Sequence, residues 1–275
     1  MPNNLRIIYD NAADRAVISA SASAGAMTAD RLQNDMKSDV WRSIAASATL
    51  TLSWPTVEPV AGVALCYSNL SSQTQMRVTA YGYAGDLVAD TGWQLACPPK
   101  TIDELRWGVE PLAMTAYLPR HVIAQCWIAS PVLALRMVIE LMDPCSQSGY
   151  IEAGRIVVGD YWSPERSADL GASIGVADAS KHYRTGGGDL LTDVGTRHRK
   201  QNIALSAMSV RDRDRIWEIV WGGGLAQPFY FSLYPDSLDA RLEQTHSMYC
   251  KLAVTPVMTT PFFNRTSAAI ELEEV

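Results

Sequence analysis

Most of the short patterns that announce an enzyme are missing from this chain. No HExxH pattern occurs, and the four histidines, His121, His182, His198 and His246, form no HxH or Cys-His cluster with zinc-ligand spacing. No GxSxG elbow is present. Neither glycine triplet is a phosphate cradle: Gly186-Gly187-Gly188 runs into Asp189 instead of Lys-Ser/Thr, and Gly222-Gly223-Gly224 follows a helical pattern instead of opening one. Both read as turns or hinges. The five cysteines, Cys66, Cys97, Cys126, Cys145 and Cys250, are odd in number and contain no CxxC pair, which fits reduced, partly buried thiols in a protein made in a cytoplasm. A long apolar run is missing too. The best candidate, Val132 to Met142, is too short for a span of ~20 residues and carries Arg136 and Glu140. The start, Met1-Pro2-Asn3-Asn4, has no charged region leading into an apolar stretch, so neither a signal peptide nor membrane insertion is expected. An excess of positive charge is also lacking. A net charge of −6 argues against a surface that tracks phosphates, and the local strip Arg197-His198-Arg199-Lys200 reads as a solvated strand face.

What the chain does have is apolar material in short alternating runs. At 275 residues with 48% hydrophobic and 19% charged positions, it can bury a core without disulfides. In Thr49 to Trp54 the apolar side chains fall on every second position, placing Leu50, Leu52 and Trp54 on one face, with Pro55 expected to end the ladder. Val63-Ala64-Leu65-Cys66-Tyr67 suits a strand buried on both faces. Met76 to Tyr81 alternates again, and Gly85-Asp86 supplies a hairpin turn before Leu87-Val88. His121 to Ile128 and Val132 to Met142 read as two β-rich runs joined across Pro131, and Tyr150 to Val158 as a closing strand. Thr28 to Met36 reads as a loop with a helical turn. From about 163 to 190 the composition shifts to Ser, Asp, Ala and Gly, the pattern of a linker. Thr196 to Met208 alternates charged and apolar positions.

One helix is expected, Ser209 to Trp221, with Ser209 as N-cap and Asp212 in the capping-box position. Its apolar residues Val210, Ile216, Trp217, Ile219, Val220 and Trp221 form a stripe expected to pack on a sheet, with Arg211 to Arg215 facing water. Strands at Pro228 to Leu233, Met248 to Val254 and Ala268 to Glu273 follow.

Three stretches of the first part resemble phage-encoded members of the galactose-binding-like, or discoidin-like, jelly-roll group: Val40-Trp41-Arg42-Ser43; Val63 to Leu70 followed by Met76-Arg77-Val78; and Arg136 to Pro144 with Tyr150 to Gly159. The second part is similar to the sandwich of tail-tip and distal tail proteins of long-tailed, siphophage-type bacteriophages. Arg184 to Gly188, Arg197-His198-Arg199, the helix after Ser209, Gln227-Pro228-Phe229, Pro235-Asp236 and Glu271 to Glu274 carry that likeness. The resemblance implies an all-β-dominated chain: an N-terminal jelly-roll β-sandwich at 1–163, a linker and start of the second domain at 164–190, and a C-terminal tail-tube-like β-sandwich at 191–275 with one packed α-helix at 209–221.

The function so implied is structural and non-enzymatic. Copies of the chain would form a sixfold or threefold ring at a virion tail tip or baseplate, docked to the tail tube and other tail-tip proteins, after synthesis in the host cytoplasm. Trp217, Trp221, Arg197 and Arg199 are the candidate assembly residues, although core packing is the simpler expectation for the two tryptophans. The alternative is recognition of a host-surface glycan, because indole faces stack on sugar rings. Trp41, Arg42, Trp93 and Trp107 are its candidate contacts, with core or interface filling as the plainer reading of each indole. A polysaccharide hydrolase is the third reading, since carboxylate pairing across a cleft is invisible in sequence. No cofactor and no metal are expected.

Overall fold

The computed structural model describes residues 4–97, 107–109, 122–237 and 239–275. Strand dominates among the described residues, which contain two α-helices. No helix among the described residues is long and apolar enough to cross a membrane. The chain divides into two compact units. The first is built from residues up to Ser163 together with Phe229–Met248, the second from Pro164–Pro228 and Tyr249–Val275.

The first unit is built mainly of antiparallel strands. Its main antiparallel sheet runs in the order Arg155–Gly159, Ser47–Ser68, Val122–Met142, Gln75–Tyr81, Leu87–Asp90. The alternation read from Thr49 to Trp54 holds: Leu50, Leu52 and Trp54 are buried, and Leu50 faces Ile139 across the ladder. Pro55 does not end the strand. Ser47–Ser68 is continuous, and the register against Val122–Met142 shifts between Ser53 and Glu58, so Pro55 sits in an irregularity where no ladder N–H is demanded of it. Pro131 is accommodated likewise inside Val122–Met142, which is one strand instead of two. His121, where the first of those runs was expected to start, lies outside the described residues.

Beyond its bulge the Ser47–Ser68 strand is buried on both faces from Val60 onwards, as its apolar run predicts. Leu50, Leu52, Leu65, Met76, Val78, Met137 and Ile139 join one core, each contributing about 1.5–3 kcal/mol by leaving water. The helical turn expected near Thr28 is the 3₁₀ segment Ala29–Gln33. The closing strand is split into Glu152–Ala153, paired with Trp41–Arg42, and Arg155–Gly159.

The Phe229–Met248 segment belongs to this unit by pairing and by side chains. Arg6–Ile8 pairs antiparallel with Phe229–Ser232. A second helix that the sequence reading missed, Ala240–Thr245 (α2 below), places Gln244 against the start of the Val122–Met142 strand. Its amide accepts from the Ile123 N–H at 3.0 Å and donates to the Ile123 carbonyl at 2.5 Å, standing in for a neighbouring strand.

In the second unit, Arg197–Met208 lies between Ser173–Asp178 and Arg265–Glu274. The latter pairs on its other edge with Met258–Phe262 and with Cys250–Leu252. The 164–190 stretch, expected as a linker and the start of the second domain, carries strand. Ser173–Asp178 continues into a two-stranded ribbon in which Lys181–Arg184 pairs with Leu190–Asp193. Gly186, Gly187 and Gly188 form the turn of that ribbon. Gly195 must be glycine, since any Cβ would collide with the Ala179 backbone.

The expected helix is present as Val210–Gly223 (α1). The Ser209 hydroxyl accepts the Asp212 N–H at 3.3 Å and donates to the Asp212 carboxylate at 3.0 Å, and Gly224 closes the helix at φ +54°. The expected packing does not hold. Asp212 and Ile216 are the buried positions, whereas Trp217 and Trp221 face water. Positions 212 and 216 lie one turn apart on one row, and 217 and 221 occupy the next row, about 100° round the axis.

Candidate functional site

The first unit places the four candidate sugar contacts in unlike surroundings. Trp41 is fully buried in the core cluster because its short strand pairs with Ala153. It cannot offer a ring face to a ligand. Arg42, next along the same strand, is committed: its Nε and Nη2 donate to the Glu152 carboxylate at 3.0 and 2.7 Å, and its guanidinium lies 4.4 Å from the Tyr150 ring centre. Two charge-assisted hydrogen bonds to the same Glu152 oxygen, together with stacking, lock this side chain. Trp93 is 47% exposed and Trp107 is 88% exposed. No ring contact or hydrogen bond among the described residues joins these four into one surface.

A groove does exist in the same unit, at a place the sequence reading did not mark. It has a volume of about 380 Å³ and is lined by Gln94 to Cys97, by Gln125, Cys126 and Trp127 from the middle of the long strand, and by Pro235, Asp236 and Ser237. Trp127 fell in an ordinary strand run, and Pro235-Asp236 read only as a turn. The groove exists because the Phe229–Met248 segment returns to the sheet, which no local pattern announces.

Its polar groups are held by one another. The Tyr230 hydroxyl donates to Gln125 Oε1 at 2.8 Å, and Gln125 Nε2 donates to the Glu243 carboxyl, which also accepts from Gln244 Nε2 at 3.1 Å. Burial pushes the Glu243 carboxyl up to about 8, against the lowering effect of the Gln244 bond, so it carries a proton at neutral pH. Asp236 is paired with Arg6 at 2.9 Å, and the Arg6 guanidinium lies 4.8 Å from the Trp127 ring centre and 4.9 Å from that of Tyr161. Gly62 backs the indole: a Cβ there would come within 2.5 Å of the Trp127 ring. The groove thiols are not nucleophiles. Burial pushes Cys126 up to about 11 and Cys97 well above its usual value. None of the five cysteines is joined in a disulfide.

The second unit presents another kind of surface. Trp217 and Trp221 are 56% and 80% exposed and stack on each other, ring centres 5.9 Å apart with planes 16° from parallel. Both strands of the Lys181–Asp193 ribbon are exposed along their whole length, with Tyr183 opposite Leu191. Phe262 and Phe263 are also exposed. The basic strip is charge-balanced. Arg197 pairs with Asp178 at 2.8 Å, Arg199 with Glu274 at 3.0 Å, and His198 and Lys200 with Glu273. The Ser180 hydroxyl, with the Ser180 N–H and Arg197 behind it, holds the Asp178 carboxyl well below the usual carboxylate range. Arg197 and Arg199 thus fasten strands to each other. Among the described residues no group of three His, Cys, Asp or Glu is placed to hold a metal ion.

Comparison with protein-family models gives no match, and comparison with curated proteins gives none either. Solved structures are similar to one part of the chain. A family 32 CBM from C. perfringens NanJ in complex with galactose shares 14% identity at a TM-score of 0.38, covering 57% of this chain and 99% of its own. A Clostridium perfringens CBM in complex with GalNAc-β-1,3-galactose shares 7% at 0.40, covering 55% and 100%. A fucose-binding module from Streptococcus pneumoniae shares 8% at 0.36, covering 56% and 99%. At these scores the sugars named belong to those proteins alone.

Proposed function

We propose that this chain is a non-catalytic structural protein of a phage tail tip, whose second unit pairs with further copies of the chain in a sixfold or threefold ring. The observation behind this reading is the water-facing stack of Trp217 on Trp221. Burying two indoles at an interface contributes several kcal/mol at about 25 cal/mol per Å². The ribbon residues Tyr183 and Leu191 supply a second apolar patch elsewhere on the same unit. Two different patches on one subunit allow a head-to-tail contact, and repeated head-to-tail contacts form a ring when the rotation between copies closes. The tail tube and neighbouring tail-tip proteins are the further partners, and the virion is the location. Light scattering on the purified chain tests the reading. Three or six copies are expected, with Trp217→Ser/Trp221→Ser reduced to monomer at unchanged circular dichroism. A wild-type monomer at micromolar concentration refutes it.

A second reading, recognition of a carbohydrate by the first unit, is favoured by the groove beside Trp127. It is compatible with the first, since the two functions use different units. Binding of any host-surface glycan on an array, abolished by heat denaturation, supports it; silence across the array removes it.

A further inference from the structure

We propose that the groove formed by Gln94, Gln125, Trp127, Asp236 and Ser237 is a binding site for a neutral, pyranose-sized polyol. The proposal rests on the carbohydrate reading above and names its site, a different place from the Trp41, Arg42, Trp93 and Trp107 set. Three properties of the groove lead to this class of ligand.

The first is size. A volume of about 380 Å³ lies near the lower end of the ~300–1,000 Å³ range of small-molecule sites, room for one or two sugar rings.

The second is charge. Asp236 is matched by Arg6, and Glu243 behind the wall holds its proton. Neither an anion nor a cation would therefore find an unmatched opposite charge among the lining residues, whereas hydroxyl groups impose no such demand.

The third is the hydrogen-bonding inventory. Gln125 is fixed at both ends by Tyr230 and Glu243, yet it keeps one amide hydrogen and one carbonyl lone pair. Gln94 spends its Nε2 on the Cys126 sulfur, leaving its carbonyl oxygen. Ser237 accepts from the Asp239 N–H at 3.1 Å, which leaves its own hydroxyl hydrogen to give. The Asp236 oxygen that Arg6 does not take is a further acceptor. Donors and acceptors therefore share the walls with Leu95, Ala96, Cys97, Cys126, Pro235 and the Trp127 indole. Hydroxyl-rich rings with apolar C–H faces match such walls, and prefixed amides avoid part of the ordering cost on binding.

The experiment titrates the full-length chain with methyl β-D-galactopyranoside, methyl β-D-glucopyranoside and N-acetylglucosamine to about 100 mM, followed by NMR of side-chain amide and indole N–H signals. At least one sugar is expected to give saturable shifts at Gln94, Gln125 and Trp127. Ser237→Trp, which fills the groove from an exposed turn, and Asp236→Ala are expected to weaken binding about tenfold or more. Trp93→Ala is expected to leave it unchanged. Each variant is first checked for a wild-type amide spectrum. Binding that survives both groove variants but is lost in Trp93→Ala overturns the site while leaving the carbohydrate reading standing. No saturable shift with any of the three sugars overturns the site outright, and the array experiment then decides the wider reading separately.

Discussion

Glu243 and Gln201 are buried polar residues with opposite fates. Glu243 is 1% exposed and satisfied by two glutamine amides, and its carboxyl titrates at about 8 instead of 4.5. A folded-state value raised above the unfolded one means that the native protein holds the extra proton. Stability is therefore full below pH ~4.5 and declines as pH rises through about 8, by an amount of order a few kcal/mol. Glu243→Gln is expected to remove that decline, read as urea midpoints that no longer fall between pH 5 and about 8.5. Gln201, in the second unit, is 1% exposed, and neither amide atom has a hydrogen-bond partner. An unmatched buried amide costs about 1–3 kcal/mol, so Gln201→Leu is expected to raise the unfolding midpoint by a corresponding amount. A lower midpoint would show that the amide is satisfied in the assembled protein or by water.

Among the elements, α1 shows both how far pattern carries and where it stops. Its cap was readable because Ser209 and Asp212 stand three apart, and the structure joins them twice. Ser209→Ala is expected to cost about 1 kcal/mol, measured as a shift in the unfolding of the second unit by hydrogen exchange across Val210–Gly223. The buried face was misread. Apolar residues at helical spacing say that a helix has a sticky side, but not whether that side meets its own chain. Pro55 shows a similar limit: proline forbids a ladder bond, yet a strand can slip register around it, as Ser47–Ser68 does. Alternation in Thr49–Trp54 and in the 268–273 stretch was legible because a half-buried strand imposes a period of two on its own residues. The groove was not legible, because Gln94, Gln125 and Asp236 are far apart in sequence and become neighbours only through long-range pairing.

At the scale of the molecule, the exposed ribbon and the stacked pair Trp217 and Trp221 belong to the second unit, while the large continuous core belongs to the first. A two-stranded ribbon with no third strand is marginal by itself. Trace trypsin is therefore expected to cut first at Lys181 or Arg184, identified by mass spectrometry, and to be slowed in any assembled form. Initial cleavage within Val122–Met142 would contradict this. The path of the chain has a practical corollary. Because Gln244 supplies the hydrogen bonds that Ile123 would otherwise lack, and Phe229–Ser232 is the partner of Arg6–Ile8, a fragment truncated after Ser163 begins life with a torn seam. To isolate the first unit, the gene would have to be spliced, with 164–228 replaced by a short flexible tether and the chain ended at Met248, because no single cut separates the two units.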